Sequence, residues 1–264
     1  RFMRPDDFRD RYGPFALVTG ASSGIGKAFA RELAASGLNL VVVARRTDRL
    51  RALSEQLSQA HGVDVRVLDA DLSLPTAPQE ILNATSSLDV GLVISNAGFG
   101  MKGAHEANDA QAMTDMLMVN CNAPMQLARG FIPRLRKRGK GGIVFTSSVE
   151  GLIGCPYSGA YSASKALVVA LGEALWAELQ PEGLDVLTLC PGATESEAAA
   201  LQGVDVSKLS NVMPAADVAR ATLENIHNGP TFISSEHYKK SFEHLLALPR
   251  RDALTMMARA MKSA

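Results

Sequence analysis

Apolar runs short enough to be strands alternate with longer stretches of helical periodicity along nearly the whole chain. The runs fall at 15–19, 38–43, 63–69, 90–95, 142–147, 184–190 and 231–234. Between them, near 24–36, 46–60, 76–86, 109–138, 158–180 and 215–228, apolar residues recur at three- and four-residue spacing, as in Ile25, Ala28, Phe29 and Leu33. A strand that is apolar on both sides must be covered on both faces. Alternating strands and helices supply that cover through right-handed crossovers. The pattern predicts an α/β fold with a doubly wound, seven-stranded parallel sheet flanked by helices.

The two ends depart from the alternation. Residues 1–12 are charged and lack an apolar stretch, and Met3 stands behind Arg1 and Phe2. This piece reads as an N-terminal extension or a cloning remnant outside the fold, and not as a signal peptide. Residues 13–235 make one domain. Beyond them, 236–264 carries Phe242, Leu245, Leu246 and Leu248, then Pro249, then Leu254, Met257, Ala258 and Met261 at helical spacing among basic residues. Such a segment can lie on a membrane surface. The preferred reading is a helical extension packed on its own domain or on a partner subunit.

The first strand-to-helix junction reads Thr19-Gly20-Ala21-Ser22-Ser23-Gly24-Ile25-Gly26. Glycine permits backbone angles and approaches that a Cβ forbids, and the leading amides of a helix suit a pyrophosphate. The spacing Gly-x-x-x-Gly-x-Gly differs from the Gly-x-Gly-x-x-Gly of the dinucleotide fingerprint, and a turn without a ligand is the plainer alternative. About 20 residues on, an acidic residue would bond the ribose 2′-hydroxyl of NAD. Here the second strand ends instead in Ala44-Arg45-Arg46. Guanidinium forks suit a 2′-phosphate, which points to NADP(H) in preference to NAD(H). Arg49 and Arg51 follow, so these arginines also fit the start of a solvated helix. Arg45, first after the strand, is favoured as the phosphate reader.

Tyr161 and Lys165 stand four apart and so share one helix face. A phenol titrates near pH ~10 and needs a neighbouring cation to exchange its proton at neutral pH. On its own the pair is weak, since an aromatic beside a solvated lysine is common.

Together with Asn96-Ala97-Gly98, Asn120 and Ser148, these motifs resemble the short-chain dehydrogenase/reductase family over about residues 14 to 235, nearest to its hydroxysteroid dehydrogenase and 3-oxoacyl reductase-like group. The resemblance implies a single-domain Rossmann fold and an NADP(H)-dependent oxidoreductase acting between a carbonyl and a secondary alcohol. It implies that Thr19, Gly20, Ser22, Ser23, Gly24, Ile25 and Gly26 hold the cofactor diphosphate, with Arg45 and Arg46 beside the ribose. Asp71 and Leu72 would meet the adenine, Asn96, Ala97 and Gly98 would support sheet and cofactor, and Pro191, Gly192 and Thr194 would border the nicotinamide. Asn120 corresponds to a residue that holds a relay water through a helix kink, and Ser148 to the substrate-orienting serine. Tyr161 would be the general acid/base, and Lys165 would lower its pKa and bond the nicotinamide ribose. The chemistry agrees: hydride delivery leaves negative charge on oxygen, which Tyr161 can protonate while Ser148 donates a hydrogen bond. Ser147 then reads as structural and Tyr157 as a pocket residue.

Two departures from the family pattern stand out. Ser196 occupies the threonine position of Pro-Gly-x-x-x-Thr, keeping a hydroxyl. Glu150 replaces a small residue, and it either faces solvent or sets a carboxylate beside the pocket. Phe99, Gly100, Met101, Leu152, Ile153 and Tyr157 are mostly apolar, which suits a lipophilic or aromatic substrate, though ordinary loop packing explains them almost as well. The long stretch from Gly192 to Met213 reads as a lid. Relatives pair through the two long helices, so a homodimer or homotetramer is expected. An isomerase or dehydratase with tightly held cofactor, or a non-catalytic NADP-binding regulator, are the alternatives. Loss of Tyr161, Lys165 or Ser148 would mark the regulator, and all three are present.

Composition narrows the classes further. With 264 residues, 47% hydrophobic, the chain can bury one substantial core. A formal net charge of zero gives no electrostatic case for nucleic acid. Three cysteines, Cys121, Cys155 and Cys190, without Cys-x-x-Cys spacing point to a reducing compartment, read here as cytoplasmic, and to no disulfide frame or zinc site. The five histidines show no ligand spacing, so no metal is expected, and no segment approaches a bilayer span.

Overall fold

The computed structural model describes residues 3–195, 197 and 211–262. Its centre is a parallel sheet of β1 (Phe15–Thr19), β2 (Asn39–Ala44), β3 (Val65–Asp69), β4 (Val90–Ser95), β5 (Gly142–Thr146), β6 (Asp185–Leu189) and β7 (Thr231–Phe232), in the order 3-2-1-4-5-6-7. The strands alternate in the face they present. Ala16, Val18, Leu92, Ile94, Val144, Leu187 and Leu189 enter one core, while Phe15, Leu17, Val90, Val93, Ile143, Phe145 and Val186 enter the other. The apolar runs of the sequence are thus two interleaved cores, one on each side of the sheet.

Helices cover both faces. Phe29 and Leu33 of α2 (Gly24–Ala35) and Leu50, Leu53 and Leu57 of α3 (Thr47–His61) fill the first core. The second takes Ile81 of α4 (Ala77–Ala84), Leu127, Phe131 and Leu135 of α6 (Ala123–Arg138), and Val168 and Leu179 of α7 (Gly159–Leu179). The single helix expected at 109–138 is interrupted. A π turn at Met118–Asn122 separates α5 (Ala110–Leu117) from α6. Pro124 has no N–H to give the Asn120 carbonyl, which removes one α-type bond where the turn widens. Further on, α8 (Ala215–Glu224) returns Val218 and Leu223 to the first core.

Both ends differ from a bare sheet-and-helix frame. Residues 1–12 were expected to lie outside the fold, but Pro5–Tyr12 form α1, with Phe8 and Tyr12 buried in the first core. Arg11 Nε and the Tyr12 hydroxyl both donate to Asp185 Oδ2, at 2.6 and 2.7 Å, which fastens α1 to the foot of β6. At the other end, α9 (Glu236–Ala247) and α10 (Arg250–Lys262) pack on the domain. Phe242, Leu245, Leu248, Ala253, Leu254 and Met257 join Val149, Ile153, Cys155, Val169 and Cys190 in a third apolar cluster. No helix among the described residues is long and apolar enough to cross a membrane.

Candidate active site

The chain winds outward in opposite directions from β1 and β4, leaving a crevice beyond their carboxyl ends, where ligands of open α/β sheets bind. The crevice is tied together by polar groups at three strand ends. Thr19 Oγ1 accepts the backbone amides of Asn96 and Ala97, both at 3.0 Å, and Asn96 Nδ2 donates to the Thr19 carbonyl at 3.2 Å. From β5, Thr146 Oγ1 donates to Asn96 Oδ1 at 3.1 Å. Thr146 also offers its carbonyl to Lys165 Nζ, 2.9 Å away. A single amide side chain therefore fixes β1, β4 and β5 relative to the lysine.

The glycine turn is required for steric reasons. Gly20 has φ +68°, and a Cβ added there would meet the Ala97 Cα at 2.9 Å. At Gly26 a Cβ would collide with the Gly20 carbonyl and the Asn96 side chain, so glycine lets the start of α2 pack close against the turn. Ser23, the residue before α2, makes no side-chain bond to the helix; its hydroxyl accepts from Arg46 Nη2 at 2.7 Å. The leading amides of α2, with Ile25 half-buried behind them, stay free to meet an anion.

Arg45 and Arg46 diverge. The Arg45 side chain is 69% exposed, with Asp71 its nearest acidic partner at 3.9 Å. Arg46 turns back onto the glycine turn, bonding Ser22 Oγ as well as Ser23 Oγ, and it also holds Glu197 Oε2 at 2.7 Å. Arg49 takes the other oxygen of Glu197 at 2.6 Å. The guanidinium that lies against the glycine turn is that of Arg46, whereas Arg45, favoured as phosphate reader by its place after the strand, is largely exposed. Asp71 accepts the backbone amide and hydroxyl of Ser73, and Leu72 is buried beside it.

Across the crevice, Ser147 and Ser148 separate their tasks. Ser147 Oγ donates to the Lys165 carbonyl at 2.8 Å, while Ser148 Oγ accepts the Glu150 amide at 3.1 Å and lies in hydrogen-bonding reach of the Tyr161 phenol. Burial holds that phenol well above its ordinary value, Glu150 adds to the effect, and the Ser148 bond opposes it. Lys165, 4% exposed, is pushed down by burial to about 8. Asn120, placed by the π turn, exchanges two bonds with the backbone of Phe99 and donates to Ser164 Oγ at 3.0 Å. Gly98 lies against Asn120 and Lys165, where a Cβ would stand 3.0 Å from each. Pro191 accepts the Val149 amide, Gly192 is pressed by the Tyr238 ring, and Thr194 bonds the Gly192 carbonyl.

The segment read as a lid has its ends side by side, with Thr194 bridged to Met213. Ser196, Leu201 and Asp205 lie outside the described residues. Lys102, Thr146, Ser158 and Ser164, which the sequence did not single out, all reach the crevice network. Thr146 had a usable signal, as a hydroxyl closing the strand that leads to Ser148.

A family model for short chain dehydrogenases matches residues 14–207. The chain belongs to that family. A 7β-hydroxysteroid dehydrogenase of Mediterraneibacter gnavus is 30% identical over 239 residues, covering 88% of this chain and 90% of that protein. A very-long-chain 3-oxoacyl-CoA reductase of Meyerozyma guilliermondii is 35% identical over 185 residues, 66% of this chain and 54% of that one. Among solved structures, a short-chain dehydrogenase from Sphingobium yanoikuyae in complex with NADPH superposes with a TM-score of 0.82 at 32% identity over 95% of each chain. The short-chain dehydrogenase frame thus extends over the whole sheet, and the oxidoreductase class comes with it.

The buried ammonium has a measurable consequence. The unfolded chain keeps the Lys165 proton to about 10.5, whereas the folded chain releases it from about 8. Across that window the unfolded state holds more protons, so stability rises with pH. Tyr161, raised in the folded state, acts in the opposite sense only above pH ~10. Between pH ~8 and ~10 the cofactor-free protein is expected to gain on the order of 2 kcal/mol relative to Lys165→Met. Urea midpoints of the two proteins measure this, and parallel pH curves would show that the ammonium is not desolvated.

Proposed function

We propose that this short-chain dehydrogenase is an NADP(H)-dependent oxidoreductase that interconverts a bulky, lipophilic carbonyl and its secondary alcohol. The observation that carries the reading is the gathering of Ser148, Tyr161 and Lys165 at the carboxyl end of β5, beside a glycine cradle that only a backbone can line. The cofactor, when bound, supplies or accepts the hydride. Thr19 and Gly20 to Gly26 hold its diphosphate, Asp71 and Leu72 flank the adenine, and Asn96, Ala97, Gly98, Pro191, Gly192 and Thr194 line the nicotinamide side. Ser148 donates a hydrogen bond to the substrate oxygen, and Tyr161 gives that oxygen its proton or takes it back. Lys165 supplies positive charge that makes the phenolate accessible, and Asn120 opens the way for proton exchange with solvent.

Arg46 is the better candidate for the 2′-phosphate because it already lies against Ser22 and Ser23, with Arg45 as an outer charge. The lipophilic substrate is supported by the third apolar cluster behind the Ser148 loop and by the hydroxysteroid named for a relative. Three buried, unpaired cysteines fit a reducing compartment, the cytoplasm. The outward face of α7 carries Ala163, Ala166, Leu167, Ala170, Ala174 and Ala177, and Leu117 and Met125 are exposed nearby on α5 and α6. That face supports a homodimer or homotetramer.

Tyr161→Phe keeps the ring and removes the proton, so reduction should fall by at least ~100-fold while NADPH still binds. The assay is NADPH absorbance with a panel of oxosteroids, bulky aryl ketones and 3-oxoacyl thioesters, and near-normal turnover in the variant refutes the role. Arg46→Ala should weaken NADPH by roughly 10- to 150-fold and NADH little, with Arg45→Ala milder; equal losses for both cofactors would make Arg46 structural. Sedimentation at micromolar concentration should give a multiple of the 28.0 kDa chain, and a clean monomer removes the helix-pairing proposal.

A further inference from the structure

Glu150 and Lys102 meet at the mouth of the crevice although they lie 48 positions apart. The Glu150 backbone is clamped on both sides of the reacting groups. Its amide donates to Ser148 Oγ at 3.1 Å, and its carbonyl accepts from Ser162 Oγ at 2.6 Å, one residue from Tyr161. Its carboxylate receives Lys102 Nζ at 2.5 Å and Ser158 Oγ at 2.6 Å. Lys102 in turn donates to Ser158 Oγ and places its ammonium 5.9 Å from the centre of the Tyr161 ring. Both side chains are about three-quarters buried, at 23% and 24% exposure. A second tie runs parallel, from the Gly103 amide to the Tyr157 carbonyl at 2.8 Å, where Tyr157 adopts φ +58°.

An ion pair three-quarters removed from water is retained at a cost in desolvation, and in a loop it adds little stability by itself. Its placement is what sets it apart. It joins the segment after β4, which holds Phe99 and Met101, to the segment after β5, which holds Ser148 and Ile153. We propose that Lys102 and Glu150 are a positioning pair for Tyr161. They latch these two pocket walls together, and their opposed charges set how readily the phenol releases its proton. This rests on Tyr161 being the proton carrier.

The surroundings of the phenol show which charges compete. Lys165 lies 5.8 Å from the ring centre on α7 itself, Lys102 approaches from the β4 side, and Glu150 and Cys155 from the stretch after β5. Cys190 closes the end of β6, Tyr238 of α9 also feels the Glu150 charge, and His105 lies near Gly159 at the start of α7. Cys155 and Cys190 are both pushed up to about 12 by burial, so neither brings a charge near neutral pH. After burial, the Glu150 carboxylate is the strongest influence on the phenol. It favours the protonated, donating form, and Lys102 restrains it.

The two charges must then act with opposite sign, which a merely structural latch would not do. The experiment titrates the ultraviolet absorbance of the phenolate in protein saturated with NADP+, taken as the difference from the same protein carrying Tyr161→Phe. Glu150→Gln, which keeps the size and one acceptor oxygen while removing the charge, should move the midpoint down by about half a unit or more. Lys102→Gln should move it up, and the double variant should lie between them. The rising limb of alcohol oxidation against pH should shift in the same directions for whichever alcohol the panel identifies. Midpoints that stay together, or that move the same way in both single variants, overturn the proposal. Normal turnover in Tyr161→Phe instead defeats the underlying reading of Tyr161, and that result is separate from the titration.

Discussion

The Lys165 ammonium is taken out of water at the carboxyl ends of three strands, and among the described residues it has no carboxylate partner. Such a charge is tolerated only where dipoles are fixed around it. The Thr146 carbonyl is the dipole it contacts, and that carbonyl is held in place because the neighbouring hydroxyl is occupied by Asn96, whose amide is itself spanned between β1 and β4. Sheet order, the Asn96 bridge and the absence of a side chain at Gly98 all converge on one cation. The rest of the sheet thus forbids the ammonium to retreat from the Tyr161 ring, whose centre lies 5.8 Å away.

What could be read from the sequence was what is local. The shared helix face of Tyr161 and Lys165 follows from their spacing and the glycines from a turn between strand and helix, whereas Ser148 and Asn96 came from the resemblance to the family. The two-faced cores were legible for the same reason, since a strand buried on both sides leaves an unbroken apolar run. The choice between Arg45 and Arg46 was not local. It depends on how the chain turns on leaving β2, which brings the second arginine, not the first, back to serines more than twenty positions earlier. The pairing of Lys102 with Glu150 was equally out of reach, because nothing near either residue announces the other. In α1 the signal existed, as Phe8 and Tyr12 stand four apart, but two aromatics among charges make too narrow a stripe to outweigh the polar composition around them.

The third apolar cluster changes the meaning of the C-terminal segment. Its helices do not extend either main core. They back the loop that carries Ser148 and Glu150 and bring Tyr238 onto Gly192, on the side of the crevice away from the glycine turn. The glycine-turn side of the crevice lies within the region matched by the family model, which ends at 207, whereas the Ser148 side also leans on residues beyond it.

The π turn before Pro124 has a consequence for heredity as well as for geometry. It holds one residue more than an α turn would, so the helix on either side is out of phase by roughly 100°. Removing a single codon there would shift the two flanking helices relative to each other by that angle, with Pro124 still unable to complete the α-type ladder. Asn120 would then swing away from Phe99 and Ser164, and the contacts that hold it against Gly98 would be lost. This stretch is where a change of length, with no change of chemical character, would displace Asn120 from the crevice while leaving the sheet untouched.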